Sequence, residues 1–173
     1  TNSCSAGPGT WLGFGQNAQR QGRATGTSVL DVTSGTATAR WTYTTGGNID
    51  SSPAISSDGS TVYVGNSGDG KLHAVNASSG VLIWTYATSG KVYSSPVIRS
   101  DGLIVYVGSQ DNKLHAIRTS DGVGLWVYTT GDMVDSSPSI SSDGLTVYIG
   151  SNDNKLHAVR ASDGVGLWTY ATG

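Results

Sequence analysis

Three histidines are the first residues that could do chemistry: His73, His115 and His157. Histidine serves as metal ligand and general base more often than most side chains. Each of the three sits in the same tetrapeptide, Lys-Leu-His-Ala, at 71–74, 113–116 and 155–158. Equivalent positions in successive repeats are spread along an array instead of converging. One three-histidine site is therefore not expected, and each ring is read as packing among its own unit's neighbours. Asp50 and Asp135 precede two further equivalent segments, with Tyr93 at that place in the repeat between them. They are weak candidates for oxygen ligands of a cation, because two carboxylates on non-adjacent units make a poor cage. Cys4 is the only cysteine, so an internal disulfide and a cysteine-rich metal site are both excluded. It is left as a partner for another chain or a free terminal thiol. Asn76-Ala77-Ser78 fits the N-glycosylation acceptor pattern, relevant only in a glycosylating secretory pathway.

The elements that carry these residues repeat. Ser51-Ser52-Pro53 returns as Ser94-Ser95-Pro96 and Ser136-Ser137-Pro138, and Trp41, Trp84, Trp126 and Trp168 recur at a matching interval. A period of about 40–50 residues fits propeller blades and some helical repeats. Strand content decides between them. One unit reads as four short alternating strands, Ser52 to Ile55, Thr61 to Gly65, Lys71 to Val75 and Leu82 to Thr88. The turns between them carry Asp58-Gly59, Asp69-Gly70 and Ser79-Gly80, with Asp-Gly or Asp-Asn echoes in the later units. Such pairs supply the positive φ that tight hairpins need. No segment has the apolar 3.6-residue period of a helix. The expected fold is all-β, a propeller of four-stranded antiparallel blades.

Composition agrees. Charged residues make up 13% of the chain, all twelve acidic residues are aspartate, and the net charge is −2. Aspartate, glycine and serine favour turns over long helices. The ten basic residues are scattered, which excludes the clustered positive charge of a nucleic-acid or acidic-membrane binder. No apolar run reaches the length of a membrane span. Proline at 53, 96 and 138 opens the first strand of each unit, where its missing N–H costs no ladder bond. One large aromatic per unit on the outer strand is read as a wedge between neighbouring blades, a structural role for Trp41, Trp84, Trp126 and Trp168.

These units resemble the PQQ-like, or quinoprotein-type, β-propeller repeat. Ala74, Asn76, Gly80 and Trp84 fit its motif; Ala116, Gly122 and Trp126, and Ala158, Gly164 and Trp168, fit it with Arg118 and Arg160 at the acidic or amide position. Trp11, Phe14-Gly15, Asn17, Arg20 and Gly22 ahead of Trp41-Thr42-Tyr43 are similar to the family as well. The resemblance implies a propeller and leaves function open among quinone-dependent dehydrogenases, outer-membrane assembly scaffolds and extracellular sensor or adhesion modules. The dehydrogenases hold a quinone over a metal ion, use carboxylate ligands that usually include glutamate, and often carry a disulfide between adjacent cysteines. This chain has no glutamate and one cysteine. A non-enzymatic structural or interaction module, extracellular or periplasmic and without a cofactor, is therefore expected.

The expected organisation is an N-terminal segment 1–27, a partial blade 28–50 of two outer strands (Ser28 to Val32 and Arg40 to Thr45), and blades 51–93, 94–135 and 136–173. Three and a half blades are at or below the smallest closed propellers. Either further chain closes the ring, or copies join head to tail into a ring or filament. The expected partner is a protein, either the rest of a longer propeller or further copies of this chain.

Overall fold

The structure, a computed structural model, describes residues 39–172. Twelve strands alternate with tight turns, and no helix occurs among the described residues. The first blade is β1(Ala54–Ile55), β2(Thr61–Asn66), β3(Lys71–Asn76) and β4(Leu82–Ala87). The second is β5(Val97–Ile98), β6(Ile104–Ser109), β7(Lys113–Arg118) and β8(Gly124–Thr129). The third is β9(Ser139–Ile140), β10(Thr146–Ser151), β11(Lys155–Arg160) and β12(Gly166–Ala171). Each is a meander in which every strand pairs antiparallel with the next.

Sequence fixes the hairpins locally. Asp58 in the β1–β2 turn accepts bonds from Ser60 N and from the Ser56 and Ser60 hydroxyls. The Ser56 bond, then those from Ser60, lower its carboxyl to about 2. In the β6–β7 and β10–β11 turns, Asn112 and Asn154 take the left-handed conformation (φ 68° and 64°), one of the few that asparagine tolerates. Between the third and fourth strands the register slips at Ala74/Val75, Ala116/Ile117 and Ala158/Val159. The slip leaves one outer-strand residue (Ile83, Leu125 or Leu167) unpaired just before the tryptophan. A bulge of this kind re-aims the next side chain.

Alternation gives each blade two apolar faces. Tyr63, Leu72, Ala74 and Trp84 of the first blade pack on Ile98, Val105, Val107 and Ile117 of the second. Tyr106, Leu114 and Ala116 of the second pack with Val147, Ile149 and Val159 of the third. The core is thus a stack of blade–blade joints, each closed by the leading face of one blade and the trailing face of the next.

One expectation about strands needs correction. The inner strand was expected from Ser52 to Ile55 but runs only Ala54–Ile55. Proline has no N–H to give a ladder, and Ser52 N donates instead to Ser95 Oγ of the next blade at 2.8 Å. The expected partial blade falls only in part among the described residues, at Arg40 to Thr45. A ladder needs two strands, and the expected partner at 28–32 lies outside the described residues, as do Cys4 and the motif from Trp11 to Gly22.

Candidate functional site at the blade joints

Each joint is built from four contacts that recur in register. The first is a tryptophan lying on a glycine. Trp41 lies against Gly80, Trp84 against Gly122 and Trp126 against Gly164, so close that a Cβ on any of these glycines would meet the indole at 2.6–2.8 Å. These glycines also turn the chain at φ 72–75°. Trp41 Nε1 donates to Ala77 O and Trp84 Nε1 to Thr119 O, at 2.9 and 2.8 Å. Trp126 Nε1 is buried without a partner. The equivalent acceptor, Ala161 O, is taken by Tyr106 Oη at 2.9 Å.

The second contact is a tyrosine–histidine–aspartate chain across the joint. Two residues after each tryptophan, Tyr43, Tyr86 and Tyr128 reach Nδ1 of His73, His115 and His157 at 2.9–3.1 Å. Nε2 of each histidine lies 3.0–3.1 Å from a carboxylate oxygen of Asp69, Asp111 or Asp153, four residues earlier. A carboxylate can only accept, so Nε2 carries a proton. In the neutral ring Nδ1 is then bare, and the tyrosine hydroxyl donates to it. The aspartates also reach back to the preceding linker, with Ser89 N donating to Asp111 and Gly131 N to Asp153.

The third contact is a serine rung. Ser52 N donates to Ser95 Oγ and Ser95 N to Ser137 Oγ, at 2.8 and 2.9 Å. The neighbouring serine turns inward to its own blade, where Gly65 N, Gly108 N and Gly150 N donate to Ser51, Ser94 and Ser136 hydroxyls. The fourth is a valine in a notch: Val92 and Val134 sit over Gly65 and Gly108, where a Cβ would overlap them.

This arrangement can hold blades together, and it is poorly set for catalysis. The three histidine rings are buried and each has both nitrogens engaged. Burial, then the Asp111 charge, raises Tyr86, so its hydroxyl is no activated nucleophile. Each histidine reaches out of its own blade to a tyrosine that precedes it, for His115 and His157 on the preceding blade, a contact wider than the own-unit packing read from sequence. Sequence reasoning also passed over Tyr43, Tyr86, Tyr128 and the aspartates. The signals were present: tyrosine two after each of the four repeated tryptophans, aspartate always four before the histidine.

The rim carboxylates are held apart in separate loops. Asp50 accepts a very short bond from Ser67 Oγ. Asp135 takes Gln110 Nε2 at 2.9 Å and Asn152 Nδ2 at 3.2 Å. No group of three or more histidine, cysteine, aspartate or glutamate side chains able to hold a metal occurs among the described residues. Asn76 caps the β3–β4 turn, its Oδ1 accepting from the backbone and hydroxyl of both Ser78 and Ser79.

Acid should loosen the joints. Burial lowers His115 below its ordinary 6.5, the nearby Asp111 only partly opposing it. Burial pushes Asp111 up, but the His115 hydrogen bond and charge, Ser89 N–H and Lys113 outweigh it and leave that carboxyl below 3.8. Both folded-state values are depressed. Their contributions are therefore complete above the unfolded values and are lost as pH falls. The urea midpoint is expected to be level between about pH 7 and 9, to decline below about 6.5 as His115 protonates in the unfolded chain, and to decline again below about 4. A midpoint that rises between pH 7 and 5 would contradict this.

The third blade has no following blade among the described residues. Trp168 is 48% exposed and Tyr170 64%, whereas the equivalent Trp84 is 9% exposed.

Four-stranded meanders stacked face to face through a repeated aromatic joint are the blades of a β-propeller. The family model described as outer membrane protein assembly factor BamB matches residues 23–173. The chain belongs to this PQQ-like propeller repeat family. Among solved structures it is similar to BamB from Moraxella catarrhalis, at 26% identity and a TM-score of 0.65, covering 76% of this chain and 39% of that one. It is also similar to Kuenenia stuttgartiensis hydrazine synthase, at 17% identity and a TM-score of 0.64, covering 74% and 37%. The second likeness is one of fold alone. The chain thus spans well under half the length of the proteins it resembles. Comparison with curated proteins gives no match.

Proposed function

We propose that this chain is a non-enzymatic interaction module, a run of propeller blades that presents a blade face to a protein partner outside the cytoplasm, with the rest of a longer propeller or further copies of itself as the partner. The observation that carries the reading is the division of labour among its side chains. The histidines, tyrosines and joint aspartates that could do chemistry are spent on holding blades together. Trp168 and Tyr170 of the third blade repeat the Trp-x-Tyr pair that seats each earlier blade on the next. Membership of the BamB-like family supports a scaffold role, since BamB is named for assembly of outer membrane protein. That relationship also supports a periplasmic or extracellular setting. In a glycosylating pathway Asn76 would be the acceptor.

The competing role is oxidation by a bound quinone. The test is to add pyrroloquinoline quinone, calcium and an artificial electron acceptor, with alcohol and sugar substrates. No turnover above a protein-free control is expected. Sustained turnover overturns the proposal.

A further inference from the structure

The tyrosines that reach a histidine differ from the other joint aromatics in having a base at the hydroxyl. Tyr86 Oη lies 3.1 Å from His115 Nδ1, and Tyr128 Oη lies 3.0 Å from His157 Nδ1. On the far side of each ring Nε2 donates to a carboxylate, to Asp111 and to Asp153, both at 3.1 Å. Nδ1 is therefore an unprotonated acceptor with the phenol's proton aimed at it. Both histidines are buried, and the aspartate side chains are only 5% and 9% exposed. A carboxylate so placed stabilises an imidazolium beside it more strongly than water-exposed charges do.

Holding blades together does not require a base. Tyr106 also bridges two blades, but it donates to a backbone carbonyl, Ala161 O, at 2.9 Å. A carbonyl anchors a hydroxyl and cannot take its proton. Trp84 Nε1 likewise ends on a carbonyl, Thr119 O, and Trp126 Nε1 has no partner. The difference matters for one reaction. A phenol that loses an electron becomes a strong acid. A positioned base that receives the proton in the same step makes that loss easier.

We propose that the Tyr86–His115–Asp111 and Tyr128–His157–Asp153 chains are one-electron oxidation sites, at which a diffusible inorganic oxidant takes an electron from the tyrosine while the phenolic proton crosses to the histidine. The oxidant is reduced by one electron. The tyrosine O–H bond breaks and an N–H bond forms at Nδ1. A neutral tyrosyl radical is left beside an imidazolium–carboxylate pair. One electron returned by a reductant sends the proton back to the phenol. Trp84 stands two residues before Tyr86, on the same face of β4, and its ring centroid is 5.7 Å from that of Tyr63. Oxidation anywhere in this cluster therefore settles on Tyr86, the member with a proton acceptor. The joints serve as a reversible sink for oxidising equivalents, a role separate from the partner contact proposed above.

The test is flash photolysis of the full chain with tris(bipyridine)ruthenium and a sacrificial electron acceptor, which together generate the ruthenium(III) oxidant. A nitroso spin trap and peptide mass mapping locate the radicals, and circular dichroism checks folding. Adducts are expected at Tyr86 and Tyr128 in preference to Tyr93, which is half-buried like them but has no histidine partner among the described residues. Radical formation is expected to slow in heavy water, because a proton moves with the electron. His115→Gln removes the base and should cut the Tyr86 share by about tenfold or more while the Tyr128 share holds. Asp111→Asn keeps an amide oxygen for Nε2. It should also lower the Tyr86 share by about tenfold or more, since the lost charge is worth about 1–3 pKa units at the imidazolium. An even spread over Tyr86, Tyr93 and Tyr128, or radicals confined to tryptophan, overturns the inference. So does a Tyr86 share that a folded His115→Gln chain leaves unchanged. If that variant does not fold, the wild-type distribution and Asp111→Asn decide by the same criteria.

Discussion

Trp84→Ala is expected to destabilise the fold by about 3–5 kcal/mol, the range for removing a large buried aromatic. The indole is 9% exposed and spans the joint between the first and second blades. Its loss leaves a cavity against Gly122 and Tyr63 and orphans Thr119 O. Trp126→Ala removes the same packing but no hydrogen bond, because Nε1 has no partner. It should fall within the same range, toward the lower end. Trp168→Ala is the control. Its ring is half exposed and has no following blade among the described residues, so about 1 kcal/mol or less is expected in the monomer. Urea unfolding of the three variants checks the series. Equal losses at all three positions would show that the tryptophans work within their own blades and not across joints.

Gly122→Ala should be nearly as costly, for a different reason. A Cβ there would lie 2.7 Å from the Trp84 indole, and the backbone sits at φ 74°. The left-handed conformation alone costs an L-residue about 1–2 kcal/mol, and overpacking adds about 1–3. The expected total is about 2–5 kcal/mol. Gly102→Ala separates the two contributions. Gly102 has the same sign of φ, at 76°, but its Cβ would meet only the Ser57 hydroxyl at 3.5 Å. It should show the conformational cost alone, about 1–2 kcal/mol. Should the two glycines prove equivalent in denaturant unfolding, the indole seat would be a loose contact and the joint would have to be held by the hydrogen bonds.

Much of this architecture is legible in the sequence, and for local reasons. A hairpin is specified within a few residues, so Asp58-Gly59 or Asp111-Asn112 reads as a turn without knowledge of the rest of the chain. Regular recurrence of tryptophan marks the unit. What is not legible depends on a neighbour. Ser52 looks like a strand residue until its N–H is seen to leave the blade for Ser95. His115 is visible as a repeated side chain, but the tyrosine that engages it lies 29 residues earlier, on another blade. Pair contacts at that separation can be read only by comparing two repeating patterns, Trp-x-Tyr and Asp-x-x-x-His, and asking whether they meet.

The serine rung, modest beside the aromatic contacts, has a bearing on how such proteins change length. Ser95 is simultaneously the donor to one neighbour, Ser137, and the acceptor from the other, Ser52. The same two-sidedness holds for every part of the joint, and all of it is encoded within the 42 residues that separate Trp84 from Trp126 and Trp126 from Trp168. Duplication of one such stretch of gene would insert a unit whose two borders already match, and deletion would bring together two borders that also match. Stability in arrays of this type is close to a sum over units and their nearest neighbours. Copy number can therefore drift during evolution without any new contact having to arise, and near-identical repeats such as the last two are the trace that recent duplication leaves.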